Sequence, residues 1–259
     1  MTKCALIGAS GFVGSNLSRQ APFDELYNSG NIHEIDGKHF DLLVCAGARA
    51  EKWKANLEPE ADLKNIEQLI GHLAQITARE FILISTVDVY EDPQAVYEDT
   101  PIVSERLSAY GKHRYRLEEF VRANCKKPTI IRLPGLFGSG LKKNFIYDML
   151  HKPQNMSLTH SESRFQFYGL DTLWADITKA CNAGLALVNL ATPSISARLA
   201  ASICLGREFV NETRTAAVIY DMRTLYAATF DHQGDYIWTK DEEISALRNF
   251  AVREKSLKT

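Results

Sequence analysis

The chain has 259 residues, which at roughly 150 residues per domain allows one large domain or a main domain with a smaller appendage. Hydrophobic residues make up 45% and charged residues 24%, a globular balance that excludes both a small stapled scaffold and a disordered chain. Thirty Lys and Arg stand against 32 Asp and Glu, net charge −2, so no basic excess exists to neutralise nucleic acid or an anionic membrane surface.

Cys4-Ala-Leu-Ile-Gly reads as a buried strand running into a glycine turn, Gly8-Ala-Ser-Gly11-Phe-Val-Gly14, and then into a helix-like Ser-Asn-Leu-Ser-Arg-Gln. A short strand is expected between Phe23 and Ile32. Phe40 to Gly47 forms a second apolar strand, a helix follows around Leu63 to Thr77, and Glu80 to Ser85 gives a third strand. Another helix, around Tyr110 to Ala123, precedes a strand over Pro128 to Leu133. Apolar strands alternating with helices predict a parallel sheet covered on both faces, an α/β doubly wound fold. After Gly138 the pattern loosens: polar segments such as Lys152 to Glu162 separate shorter apolar ones, and Leu187 to Ala191 is a late strand. The expected division is a dinucleotide-binding domain over 1–138 and a small C-terminal substrate lobe over 139–259, returning in part to the sheet near 165–192. Residues 253–259, rich in lysine, read as a frayed tail.

Apolar stretches such as Phe81 to Ile84 fall far short of the roughly 18 residues of a membrane span. Met1-Thr-Lys-Cys4 leads straight into strand-like residues without a signal-peptide pattern, so a cytoplasmic protein with no membrane partner is expected. Five cysteines (Cys4, Cys45, Cys125, Cys181, Cys204) are odd in number, scattered and without a CxxC spacing, which predicts reduced core thiols rather than disulfides or zinc. The seven histidines, including His33 and His39 in one loop-like segment, show no metal-ligand spacing, so no metal site is expected.

The glycine turn carries the first functional signal. Glycines at positions 8, 11 and 14 let the backbone approach a pyrophosphate, and the helix that follows presents unpaired N–H groups and the positive end of its dipole. The spacing is GxxGxxG, with Ser10, Phe12 and Val13 completing the turn. An acidic residue at the end of the next strand would accept a ribose 2′-OH and favour NAD. Asn28 and Ser29 stand there instead and can donate to a 2′-phosphate, which leans the reading towards NADP; a strand displaced by two or three residues would give that role to Asp24 or Glu25.

Three features fall in order: the glycine turn, Ser85-Thr86-Val-Asp88-Val-Tyr90 at the end of the third apolar strand, and Tyr110-Gly-Lys-His-Arg114 opening a helix. Together they resemble the extended short-chain dehydrogenase/reductase superfamily, in its NAD-dependent epimerase/dehydratase, dTDP-4-dehydrorhamnose-reductase-like branch. The resemblance spans about residues 3–205. It implies a Rossmann-type sheet, NAD(P), a nucleotide-sugar substrate and a homodimer. It also implies that Thr86 polarises the substrate and that Tyr110 is the acid/base.

The chain departs from that pattern at position 114, where arginine replaces the lysine of Tyr-x-x-x-Lys. The lysine holds the nicotinamide ribose and lowers the tyrosine pKa; Arg114 is expected to keep both roles with altered geometry. Lys112, two residues from Tyr110, points away on a helix. Dehydratases place an acid directly after the Ser or Thr, and Val87 in that place weakens a dehydratase reading. Asp88 is read as a secondary acid facing the substrate or as a strand-end carboxylate. Asn144-Phe-Ile-Tyr resembles a diphosphate-holding stretch of sugar epimerases, and Arg164, seven residues before Asp171, resembles their diphosphate-gripping arginine. Pro134 and Gly135 resemble the wall beside the nicotinamide, with Arg132 structural. Ala46, Gly47 and Ala48 after the second apolar strand, and Asn65 on the following helix, complete the expected cofactor set. The function expected is hydride transfer to or from a nucleotide-sugar carbon, as a 4-keto reductase or an epimerase. A non-catalytic dinucleotide sensor and a reductase of small carbonyls are the alternatives.

Overall fold

The computed structural model describes residues 3–257. In chain order the strands and helices are β1 (Cys4–Ile7), α1 (Phe12–Gln20), β2 (Glu25–Tyr27), β3 (His39–Cys45), α2 (Lys52–Leu57), α3 (Pro59–Leu73), β4 (Thr77–Thr86), β5 (Gln94–Val96), α4 (Ala109–Asn124) and β6 (Pro128–Leu133). They continue with β7 (Gly135–Phe137), α5 (Phe145–His151), β8 (Arg164–Phe165), β9 (Phe167–Gly169), α6 (Leu173–Asn182), β10 (Leu187–Asn189), β11 (Ile195–Ser196), α7 (Ala197–Leu205), β12 (Asp221–Met222) and α8 (Lys240–Ser256).

Six strands form a parallel sheet in the order β10-β6-β4-β3-β1-β2. This is the Rossmann-like α/β architecture expected from the alternation of apolar strands and helices. Between β2 and β3 the chain has only a short 3-10 turn, Ile32–Ile35, where a crossover helix would otherwise stand. The edge beyond β1 therefore carries a single strand, and the direction of winding reverses between β1 and β3.

The described chain divides into two compact units. The first comprises residues up to Asp92, Glu98–Leu133 and Leu173–Asn189; the second comprises Pro93–Tyr97, Pro134–Thr172 and everything from Leu190 onward. The division at 138 read from the sequence thus differs in detail: β6 ends the first unit's long segment at Leu133, and the stretch that rejoins the sheet is α6 with β10.

In the first unit, apolar strand residues pack under α3 and α4. Leu43, Cys45, Phe81, Leu83 and Ile130 meet Ile66, Leu69, Leu73, Leu117 and Val121, all buried. Each such side chain contributes about 1.5–3 kcal/mol on leaving water. A buried polar cluster fixes α4 to the strands. Glu118 accepts from Arg132 Nε at 3.0 Å and Nη2 at 2.7 Å and from Ser85 Oγ at 2.5 Å, while Arg132 Nη1 donates to the Tyr90 hydroxyl at 2.7 Å. Arg132 is structural, as expected, because a guanidinium buried among apolar strands requires an opposite charge.

In the second unit, the buried Gln166 carboxamide accepts from Met222 N and donates to the carbonyls of Thr192 and Met222, tying together segments that form no shared strand. Helix α8 opens with a capping box at Thr239 and Glu242 and runs to Ser256, with Arg253 paired to Asp171 at 2.6 Å. The frayed tail expected over 253–259 is corrected to this extent: 253–256 are helical, held by the cap, the buried Leu247 and Phe250 and the ion pair, while 258 and 259 lie outside the described residues.

Candidate active site

At the carboxyl ends of β1 and β3, the winding reversal opens a crevice of the kind where doubly wound sheets bind ligands. The glycine turn shapes it. Gly8 has φ +84°, and a Cβ on it would stand 2.3 Å from the Ala46 carbonyl oxygen; a Cβ on Gly14 would stand 2.1 Å from the Gly8 oxygen. Helix α1 begins at Phe12 after Gly11, with no side chain capping it and Ser10 exposed beside it. A close backbone cradle ahead of an uncapped helix N-terminus fits a pyrophosphate, and the expected residues Gly8, Ser10, Gly11, Phe12, Val13 and Gly14 all lie in this turn and the start of α1. A cavity of about 620 Å³ adjoins the turn, and Gly8, Asn28, Ser29, Gly47, Ala48 and Asn65 all line it. Asn28 and Ser29 follow β2 directly. Asp24 and Glu25 lie at the start of that strand and are engaged elsewhere, Asp24 accepting from Cys4 N and Glu25 pairing with Lys3 and Lys38. His33, Arg49 and Asp62 line the same cavity and were missed from the sequence; Asp62, one helical turn before Asn65, was legible as a shared helix face.

Further along the carboxyl edge, β4 ends at Thr86 and the N-terminus of α4 packs against it. A Cβ on Gly111 would lie 2.0 Å from the Asp88 carbonyl oxygen, so only glycine permits this approach. Ser108 caps α4 through Gly111 N, and Tyr110 N donates to Asn56 Oδ1 on α2 at 3.0 Å. Tyr110, Thr86, Asp88 and Arg114 are thereby brought together. Val87 is buried, whereas Asp88 turns to Thr86, whose hydroxyl donates to Asp88 Oδ2 at 3.4 Å. Lys52, the first residue of α2, closes the group with Nζ 2.6 Å from Asp88 Oδ1. Nothing in the sequence singled it out.

Arg114 departs from expectation. Its guanidinium lies 4.3 Å from the Tyr110 ring centroid, but Nη1 and Nη2 hold the two oxygens of Asp62 at 2.6 and 3.0 Å, and Nη2 also donates to the Arg49 carbonyl. The donors expected to hold a ribose are thus occupied by a buried bidentate ion pair, the geometry to which a planar guanidinium is suited. Nε is buried without a partner among the described residues. His113 Nδ1 meets Asp62 at 2.8 Å. Burial alone would push the Asp62 carboxyl up, yet the bonds from Arg114 and His113 hold it below its ordinary value. Tyr110 goes the other way. Burial pushes its phenol up, the Arg114 charge only partly offsets that, and Asp88 adds to the rise. Arg114 thus acts on the tyrosine in the expected direction, downward, but burial outweighs it and the net shift is upward.

The remaining expected residues belong to the second unit. Pro134 is buried between β6 and β7. Asn144 adopts φ +125°, ψ 178°, a conformation costly for any residue but glycine. Its carboxamide caps α5 through Tyr147 N and donates to the Leu136 carbonyl, so both ends of the side chain are engaged locally. Arg164 is exposed, with Nη2 on the Ser194 carbonyl at 2.6 Å. Phe145 and Phe165, next to them in sequence, pack with ring centroids 5.9 Å apart. Asn144 and Arg164 therefore sit in one part of their unit.

The RmlD substrate binding domain family matches residues 2–162, more than half of the chain. The chain belongs to this family. Among solved structures, the family member resembles dTDP-4-dehydrorhamnose reductase from Bacillus anthracis in complex with NADP, at 16% identity over 98% of this chain and 99% of that one, TM-score 0.71. It resembles UDP-glucose 4-epimerase from Thermotoga maritima with UDP-glucose at 13% identity, 100% of both chains and TM-score 0.72. The NAD-dependent NDP-hexosamine 5,6-dehydratase TunA, of tunicamycin biosynthesis, matches at 16% identity, 98% of both chains and TM-score 0.74. At such identities these are likenesses of fold. No curated protein matches the sequence. Among the described residues no helix is long and apolar enough to cross a membrane.

Proposed function

We propose that the protein is an NADPH-dependent reductase of a nucleotide-linked 4-keto sugar. The observation that carries the reading is the meeting of Thr86 and the buried Tyr110 at the carboxyl edge of a sheet whose glycine turn fits a dinucleotide. Family membership and the likeness to sugar-nucleotide enzymes support the substrate class. NADPH is favoured by Asn28 and Ser29, in place of a carboxylate, after β2.

Bound NADPH supplies the hydride. Gly8, Gly11 and Gly14 hold the pyrophosphate, and Asn28 and Ser29 donate to the 2′-phosphate. Thr86 donates a hydrogen bond to the carbonyl oxygen, and Tyr110 gives that oxygen a proton as the hydroxyl forms. The raised pKa of Tyr110 keeps it protonated, as a general acid must be. For a diphosphate, the second unit offers exposed Arg164, whose planar guanidinium suits such a group, with the strained Asn144 in the same unit. The reading includes a homodimer, checked by a light-scattering mass of two chains.

The test is NADPH oxidation, read by absorbance, against dTDP-4-dehydrorhamnose and related 4-keto nucleotide sugars. Turnover is expected, falling by about 10²-fold or more in Tyr110→Phe. Unimpaired turnover by that variant would refute the role of Tyr110, and no turnover across the panel would refute the reductase. A second reading, a dinucleotide-binding sensor, is favoured by the commitment of Arg114 to Asp62; cofactor binding without oxidation would select it.

A further inference from the structure

A buried acid that releases a proton in every turnover must recover one. Tyr110 is 7% exposed. Arg114 does not shed its proton, and its terminal nitrogens are held by Asp62 and the Arg49 carbonyl. One connected path leads outward. The Thr86 hydroxyl faces the Tyr110 phenol, whose ionised form it favours as a donor. That hydroxyl is 3.4 Å from Asp88 Oδ2, Asp88 Oδ1 is 2.6 Å from Lys52 Nζ, and the Lys52 side chain is 45% exposed. Position is over-determined: Asp88 N donates to Thr86 Oγ1 at 3.2 Å, Gly111 packs on the Asp88 carbonyl, and Asn56, one turn after Lys52 on α2, binds Tyr110 N.

We propose that Lys52, Asp88 and Thr86 form a proton relay that recharges Tyr110 from solvent, with Lys52 the solvent-side proton donor. The proposal rests on the reductase reading. Tyr110 O–H breaks as the product O–H forms. Asp88 first receives the Lys52 ammonium proton on Oδ1, a turn of the carboxyl group brings that proton to Thr86, and Thr86 takes it as its own hydroxyl proton passes to the phenolate. The Lys52 amine is then reprotonated by bulk water or buffer acid. One proton moves from solvent to product oxygen, and nothing is oxidised or reduced. A plain surface ion pair between Lys52 and Asp88 would leave turnover nearly untouched. The charged groups facing Tyr110 are Arg114 and Asp88, with Asp62 and His113 behind Arg114, and Asp88 faces Lys52.

Two measurements test this. In turnover of the 4-keto nucleotide sugar, Lys52→Ala is expected to slow the reaction by about 10²-fold and to become dependent on buffer concentration, with partial rescue by added ethylamine; the unaltered protein shows neither effect. Wild-type rate and pH profile in Lys52→Ala, or a slowed variant indifferent to buffer and amine, would overturn the relay. The second measurement needs no substrate. Carbon-13 at the tyrosine ζ position, assigned through Tyr110→Phe, follows ionisation of Tyr110 in folded protein verified by circular dichroism. Lys52→Met is expected to raise its midpoint and Asp88→Asn to lower it; unmoved midpoints would overturn the coupling. If no substrate turns over while the midpoints shift in these opposite directions, the reductase reading has failed and the coupled path stands.

Discussion

Arg114 shows how one residue's partner changes its chemistry. Four positions after Tyr110 it resembles a tuning cation, yet Asp62 takes both terminal nitrogens and burial raises the Tyr110 pKa regardless. Tyr110 was singled out by its place four residues before Arg114, which resembles Tyr-x-x-x-Lys, and by the helix it opens. Asp62 was not assigned, because an acid on an amphipathic helix has no sequence mark of the arginine it will meet 52 residues later. Ser29 is the residue on which cofactor choice is most simply tested. A carboxylate introduced there in Ser29→Asp would face the 2′-phosphate and accept from a 2′-hydroxyl. NADPH affinity should fall at least about tenfold while NADH affinity holds or rises, read by cofactor fluorescence titration. Equal affinities for NADPH before and after the change would remove Ser29 from the 2′ site.

Elements set the distances that residues alone do not. Helix α4 carries Tyr110 at its N-terminus and Glu118 two turns later, so the same helix presents the acid and is anchored by the buried bonds of Glu118 to Arg132 and Ser85. Gly111 is the point of closest approach. In Gly111→Ala the added Cβ would need the space of the Asp88 carbonyl oxygen, 2.0 Å away and part of the backbone, so α4 or the β4 end must move. A loss of about 1–3 kcal/mol in urea unfolding is expected, together with a larger fall in turnover than stability alone explains. Full stability in this variant would show that α4 does not need the contact. In the first unit most strand and helix positions were legible from periodicity, and β6 runs over Pro128–Leu133 as expected. Helix α2 was not, because six residues with one buried side chain leave no periodic signal.

Across the molecule, acid–base balance lies in buried carboxyls that the two units treat differently. In the first unit Asp62 and Glu118 are paired with cations. In the second, Glu243 accepts from Phe167 N at 3.0 Å with one oxygen, and its other oxygen has no partner among the described residues. Burial raises Glu243 from the ordinary 4.5 to about 8. The folded chain therefore keeps a proton that the unfolded chain releases. Its contribution is fully present below about pH 4.5 and is lost as pH rises through about 8. Denaturation midpoints should fall over that interval, and Glu243→Gln should flatten the fall; an unchanged slope would contradict a neutral buried acid. What the sequence by itself determined is the run of β1, α1, β3, α3, β4, α4 and β6 and the glycine turn between the first two, because those depend on periodicity and spacing within short stretches. Only the tertiary structure decided which charges meet: Asp62 with Arg114, Lys52 with Asp88, Glu118 with Arg132. Attraction between charges acts over a few ångströms in space, and separation along the chain carries no trace of it.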